Sequence, residues 1–511
     1  MNNDGPLPFV HATVIHMLRA AALAAPQAEA LVCGDERLTY AAYWQSVAAF
    51  AKGLEQRGSR GGRVAVLMGN SIDTAIACFA VQAAGAQLVP LNPAYTGHEL
   101  RFILQDAEPD VMVHETSTGD MVAALTAETG IRHRIEVGPA FRLFDAARHN
   151  GWVPDVSLPE PDALALLQYT GGTTGRPKGV MLSHRAVATN VSQREALLPT
   201  RPDDRVLAIT PLFHSYASAM GLSLAAYAKA TLVVLPRYRP QEVIDTVARE
   251  RISLFAGSPT IFNGLMAHEG FPDADWSSLR LTYSGSAALP EETLRRWEVA
   301  TGAPVCEGYG QTEAGPVLTY NPQDGVRKIG SVGVPLPGTQ VQVVDVESGT
   351  RILQAGELGE VRARGPQIMA GYRNRPDETA AALRDGFLYT GDIGTFDEDG
   401  YLFIRDRKKE MVIVAGFNVY PREVEETLHA HEAVSEAAVV GRPDPYRGEA
   451  LVAFVVPRPG RFLDEDILRA HLADRLVRYK LPSTIHFVES LPRTTVGKID
   501  KIALRKAAEN P

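Results

Sequence analysis

Residues 169–179 read Tyr-Thr-Gly-Gly-Thr-Thr-Gly-Arg-Pro-Lys-Gly. Four glycines permit tight turns with exposed backbone N–H groups, Thr170, Thr173 and Thr174 add hydroxyl donors, and Lys178 adds a cation. Those are the parts needed to hold a polyphosphate, and more donors than a plain glycine-rich surface turn requires. Upstream, Ala163-Leu164-Ala165-Leu166-Leu167 predicts a short buried strand; downstream, after Val180 to Arg185, a helical pattern resumes. The segment is not a Walker A loop, because Lys178 follows Pro177 and the Gly-Lys-Ser/Thr ending is missing.

Outward from this loop the chain alternates strand-like and helix-like stretches. Thr39 is a candidate N-cap for a helix over 41–57, Arg63 to Met68 reads as a buried strand, 72–84 as a helix and Gln87 to Leu91 as a strand. The rhythm recurs with strands at 205–210, 231–235 and 252–256, which predicts an α/β fold with a largely parallel sheet and helices on both faces. Between about 326 and 404, short β-rich pieces separated by Gly, Pro and Asp-Gly turns predict a small β-barrel or distorted sheet. After the basic run Arg405 to Lys409, strands at 437–440 and 451–456 and helices at 422–430 and 465–478 predict a small α+β domain. The 511 residues exceed what one core usually serves, and the expected division is 1–408 and 409–511.

A net charge of −9 argues against general nucleic-acid binding, which needs a basic surface. The three cysteines, Cys33, Cys78 and Cys306, lie far apart, form no ligand cluster and suggest a reduced compartment. The Ala-rich stretch Val14 to Ala25 is interrupted by His16 and Arg19, so it reads as an amphipathic helix rather than a signal peptide. The apolar runs near 75–91 and 217–235 contain Gln82 and Lys229 and do not read as membrane spans. A cytoplasmic enzyme is expected, with peripheral membrane contact left open, as a monomer or homodimer.

Further segments add chemistry in a fixed order. Tyr309-Gly310-Gln311-Thr312-Glu313 offers an aromatic plane, a hydroxyl and a carboxylate, and Tyr389-Thr390-Gly391-Asp392 places an acid on a turn. Arg405 to Lys409 leads into Ala415-Gly416-Phe417, and Pro492-Arg493-Thr494-Thr495-Val496-Gly497-Lys498 ends in a lysine on a glycine-preceded loop. Over roughly residues 15–505 this order and spacing resemble the AMP-forming acyl-CoA synthetases, within the adenylate-forming superfamily that includes firefly luciferases and the adenylation domains of peptide synthetases. The wording at Leu167 to Gly172 and Glu307 to Gly310 is similar to bacterial fatty-acid ligases.

The resemblance implies that ATP and a carboxylate form an acyl-adenylate with release of pyrophosphate, and that coenzyme A then displaces AMP. It assigns adenylation to Lys498, supported by Thr174, Glu313 and His214. The nucleotide is expected on Thr170, Gly171, Gly172, Thr173, Thr174, Gly175 and Lys178, on the turn Ser286-Ala287-Ala288, on Glu307, Gly308, Tyr309, Gly310, Gln311 and Thr312, and on Asp392 and Arg407. Tyr309 would stack on adenine, Asp392 would accept the ribose hydroxyls, and Glu313 would associate with Mg2+. Ala415, Gly416 and Phe417 would approach coenzyme A, and a mobile C-terminal domain would rotate about Lys409. Gly171 stands where many relatives have serine.

The acid is expected near Phe213, His214, Tyr216, Ser258, Tyr283, Gly285, Gly308 and Val317. The segments that line it in this family (213–221, 257–263, 283–289 and 307–317) carry no Arg or Lys, and their only acids are Glu307 and Glu313. Unpaired buried charge is costly, so a neutral apolar tail is favoured. The expected acid is a medium- or long-chain fatty acid, with an aryl or cyclic acid as the alternative. A separate carrier protein as the acceptor, and a non-catalytic binding protein, are the competing readings.

Overall fold

The computed structural model describes residues 3, 5–145, 156–170, 177–285, 289–414, 417–494 and 498–509. Two large sheets form the N-terminal part. One has seven strands, in the order 371–372, 178–183, 164–170, 87–91, 63–67, 111–115 and 133–137. The other has nine, in the order 334–335, 319–320, 305–309, 281–284, 254–257, 205–208, 231–234, 29–33 and 36–39. Both are parallel through the middle and antiparallel at edges.

Period-two patterning builds the layers. In Arg63–Leu67, Val64 and Val66 join one buried cluster while Ala65 and Leu67 join another. In Arg205–Ala208, Val206 and Ala208 share the first of those clusters, and Leu207 faces a third. A helical layer containing Val14–Ala24, Tyr40–Glu55, Ile72–Ala83 and His184–Glu195 therefore lies between the sheets, and further helices cover their outer faces. Thr39 caps the helix Tyr40–Glu55 by accepting from the N–H of Ala42.

Several local expectations shift. The stretch after the glycine-rich segment is a strand, Lys178–Ser183, paired antiparallel with Leu164–Thr170 at Thr170↔Lys178. The segment therefore joins the two arms of a hairpin, and the helix expected after it begins at His184, close to the expected start. The β-rich stretch forms a five-stranded antiparallel sheet of 340–344, 359–364, 383–384, 387–396 and 402–407. Its neighbours Val334–Pro335 and Gly371–Tyr372 instead extend the two large sheets, so hydrogen bonding divides what turn spacing had grouped. The helix expected over 465–478 is Glu465–Ala473, followed by a 3-10 turn at Arg478–Lys480.

The smaller C-terminal domain has its own sheet, in which 448–457 pairs with 412–414, 434–444 and 484–487 and is packed by helices at 421–429, 465–473 and 501–509. Among the described residues no helix is long and apolar enough to cross a membrane.

Candidate active site

Lys178 ends the hairpin, with its Nζ 5.1 Å above the centre of the Tyr372 ring. The Tyr372 hydroxyl donates to Glu313 Oε1 at 2.8 Å. Glu313 lies in the 3-10 turn Thr312–Ala314, where its carbonyl accepts from the N–H of Met369 and Thr312 Oγ1 lies 3.1 Å from Ser215 Oγ. Beneath the hairpin, Tyr169 donates to Asp106 Oδ2 at 2.6 Å. The predicted contacts Gly171, Gly172, Thr173, Thr174 and Gly175 lie outside the described residues, as do Ser286, Ala287, Ala288, Ala415 and Gly416.

A second group converges from the antiparallel sheet. Strand pairing sets Asp392 opposite Arg407, and Arg407 Nε lies 3.5 Å from Asp392 Oδ1. Tyr309, at the end of strand Val305–Tyr309, donates to Asp392 Oδ2 at 2.5 Å. Burial pushes the Asp392 carboxyl above its ordinary range, and Arg407 and the Tyr309 hydroxyl oppose that shift. Each carboxylate oxygen keeps lone pairs for further donors.

The C-terminal domain brings Lys498 to this group. The Thr494 N–H donates to the Lys498 carbonyl at 2.7 Å and the Lys498 N–H to Thr494 Oγ1 at 3.2 Å, which holds the lysine backbone. Arg493 Nη1 donates across to Thr260 Oγ1 at 3.1 Å, docking the loop on the large domain. The Lys498 ammonium is depressed below the usual lysine value by desolvation and by Arg407, while Asp392 favours its charge. His214 is pushed down to about 4 by burial and by Lys498, which leaves a neutral ring. Its Nδ1 accepts from the N–H of Tyr216 at 3.3 Å.

Glu307 is buried in the protein interior, where Oε1 accepts from the N–H of Leu289 at 3.1 Å and, among the described residues, Oε2 has no hydrogen-bond partner. Burial raises its carboxyl to about 7. Gly308 and Gly310 are required by close approach: a Cβ on Gly308 would lie 2.2 Å from the Tyr320 ring, and one on Gly310 2.2 Å from the Pro316 carbonyl oxygen. Gln311 starts the turn that carries Glu313, its carbonyl accepting from the N–H of Ala314 at 2.8 Å.

Beside these groups lies a narrow, mostly apolar cavity lined by Tyr216, Ala217, Met220, Gly221, Ala256 and Tyr283 among others. Of the eight residues expected around the acid, Tyr216 and Tyr283 line it. Gly285 packs against the Tyr216 ring, and Val317 is tied through its backbone to the Asn190 side chain. Phe213 and Ser258 stand outside the lining, each just ahead of a helix. Sequence reasoning missed Arg194, which reaches the back of Tyr283 from helix His184–Glu195 and is fully buried. Its guanidinium lies 5.0 Å from the Tyr283 ring centre and pairs with Glu195 at 2.6 Å. Tyr216 and Tyr320 share a buried hydroxyl–hydroxyl bond of 2.9 Å.

Phe417 stays away from this assembly, exposed and stacked on Tyr479 at 4.5 Å. Lys409 lies between two anchored neighbours. The Lys408 N–H bonds the Gly391 carbonyl and its ammonium pairs with Glu360, while Glu410 pairs with Lys501 of the last helix.

Similarity to known proteins gives this arrangement of hairpin, buried acid and C-terminal lysine its family. The family model described as AMP-binding enzyme matches residues 18–373, and the one for its C-terminal domain matches 423–498. The chain belongs to the AMP-binding enzyme family. It is an acyl-CoA synthetase by that membership and by its relatives. A long-chain-fatty-acid–CoA ligase of Bacillus subtilis is 36% identical, covering 97% of this chain and 95% of its own. A feruloyl-CoA synthase of Amycolatopsis is 39% identical, covering 94% of this chain and 96% of its own. The ATP-bound MatB structure from Rhodopseudomonas palustris is 35% identical with a TM-score of 0.92, covering 98% and 99% of the two chains.

Among the described residues no three His, Cys, Asp or Glu side chains cluster as a metal site. A magnesium ion fits the acyl-CoA synthetase all the same, since such ions are commonly held by one carboxylate, waters and substrate phosphates. Glu313 would supply that carboxylate, with Oε1 accepting from the Tyr372 hydroxyl.

Proposed function

We propose that this acyl-CoA synthetase joins a carboxylic acid with a neutral, apolar tail to coenzyme A through an acyl-adenylate, releasing pyrophosphate and AMP. The observation that carries the reading is the convergence of Asp392, Tyr309 and Arg407 with the docked Lys498 loop. A carboxylate resists thiol attack because its leaving group would be oxide or hydroxide; adenylation replaces that with AMP. The first step brings an anion toward a polyanion, so electrostatic stabilisation dominates its catalysis.

In this reading Asp392 accepts the ribose hydroxyls while Tyr309 and Arg407 hold its orientation. The hairpin loop and Lys178 grip the β- and γ-phosphates, which keeps pyrophosphate in place as the leaving group. Lys498 bridges the α-phosphate and the attacking carboxylate. Magnesium held by Glu313 and the phosphates would supply charge neutralisation there. Neutral His214 borders the acid's entry without adding a competing charge. The docked loop suits adenylation, and thiol attack requires the C-terminal domain to turn about Lys409. That hinge position is supported by the opposite anchoring of Lys408 and Glu410. Phe417, exposed on the smaller domain, is placed to approach coenzyme A after such a turn.

For the acid, the apolar and aromatic lining of the cavity supports a neutral tail, since burying an unpaired charge there would be costly. A medium- or long-chain fatty acid or an aryl acid meets that requirement, in keeping with both kinds of relative. The test is acid-dependent pyrophosphate release with and without coenzyme A, using octanoate, palmitate, benzoate, a hydroxycinnamate and malonate. Coenzyme-dependent turnover with higher kcat/KM for the neutral-tailed acids is expected. Preference for malonate would refute the neutral-tail argument. Release unstimulated by coenzyme A would favour a carrier protein as the acceptor, and silence with every acid would leave only a binding role.

A further inference from the structure

Tyr372 belongs to none of the motifs above, yet it touches two of the groups that handle phosphate. Its hydroxyl donates to Glu313 Oε1 at 2.8 Å and its ring lies 5.1 Å beneath the Lys178 ammonium. Among the described residues no ion pair joins Lys178 to Glu313. An ammonium and a carboxylate that flank one side chain would each be lost to its ligand if they paired. An aromatic face attracts the cation and an aromatic hydroxyl attracts the anion, so one side chain satisfies both and keeps them apart.

The residue is well placed to do this. Its strand pairs with the arm of the hairpin at Tyr372↔Val180, and flanking bonds run from the Ala370 N–H to the Met181 carbonyl and from the Arg373 N–H to the Gly179 carbonyl. The Tyr372 N–H donates to Thr379 Oγ1 at 2.9 Å, and Arg373 Nε reaches the Asp106 carbonyl at 2.7 Å. Asp106 also accepts from Tyr169, so both ends of the glycine-rich segment and Tyr372 share one frame. Burial and the neighbouring Glu313 raise the phenol above its ordinary value, so it remains a donor throughout the neutral range.

We propose that Tyr372 is a positioning residue that holds Glu313 for the metal of metal–ATP and Lys178 for the phosphates, preventing their mutual neutralisation. This rests on the acid-activating reading above. Partners of this kind, standing behind a metal ligand, typically change metal affinity or activity about 10- to 100-fold when removed.

The test follows Mn2+·ATP binding by electron paramagnetic resonance, without acid, in the full-length wild type and in Tyr372→Phe, Glu313→Gln and the double variant. Tyr372→Phe keeps the ring and loses the hydroxyl, and is expected to weaken Mn2+·ATP by about 10-fold while metal-free ATP binding in EDTA stays unchanged. The double variant should bind no worse than Glu313→Gln alone, because the hydroxyl acts through that carboxylate. Tyr372→Leu should in addition weaken metal-free ATP. Wild-type Mn2+·ATP affinity in Tyr372→Phe, or fully additive losses in the double variant, would overturn the inference alone. A wild-type chain that binds no Mn2+·ATP would overturn the acid-activating reading together with it.

Discussion

At the scale of single residues, Glu307 carries a measurable consequence. Its carboxyl is pushed up to about 7 in the folded protein because burial disfavours its charge. In the unfolded chain it returns to about 4.3, so between those values the folded state holds the extra proton. Stability from this residue is therefore present at low pH, falls as pH rises from about 4.3 through 7, and is level above that, a loss of at most about 4 kcal/mol. Glu307→Gln keeps the acceptor for Leu289 and removes the titration, so its melting temperature should exceed that of the wild type increasingly from pH 5 to 7.5. Parallel Tm curves for the two proteins over that range would show that Glu307 does not titrate there. The residue's type and motif were legible in the sequence. Its role as the acceptor for the Leu289 N–H was not, because that depends on which backbone N–H meets it.

Among the elements, the legible ones were those with strong periodicity. The strands Arg63–Leu67 and Gln87–Leu91 and the helix capped by Thr39 follow from apolar pattern and capping chemistry. Two-residue strands have no periodicity, so Gly371–Tyr372 could not be assigned to the sheet edge beside the hairpin. Tyr372 was missed for that reason, despite a 2.8 Å bond to a residue the sequence had singled out. Arg194 was missed because it reaches the acid cavity's wall from a helix outside every segment expected to line it. Close approach of chain segments also leaves only a glycine in the sequence as its trace. At Gly310 a methyl group would meet the backbone carbonyl of Pro316, which cannot rotate away as a side chain can. Gly310→Ala should therefore displace the turn carrying Thr312 and Glu313, destabilise the fold by about 1–3 kcal/mol, and raise the KM for ATP. Unchanged Tm and ATP KM would show that the turn can yield there.

Across the whole molecule, the proposed site draws on both domains. Composition and alternation implied an α/β body and an α+β appendage, but no sequence pattern reveals how the two face one another. The Arg493–Thr260 bond and the electrostatic influence of Lys498 on His214, and of Asp392 and Arg407 on Lys498, put Lys498 on the side of Asp392 and Arg407. If that arrangement serves adenylation and another serves thiol transfer, the two half-reactions must respond differently to loss of Lys498. The decisive measurement compares Lys498→Ala with wild type in single turnover, first for acid-dependent pyrophosphate release and then for coenzyme A attack on pre-formed acyl-adenylate. The first rate should fall by about 10²–10³ or more while the second stays within a few-fold of wild type. Equal losses in both would contradict the account.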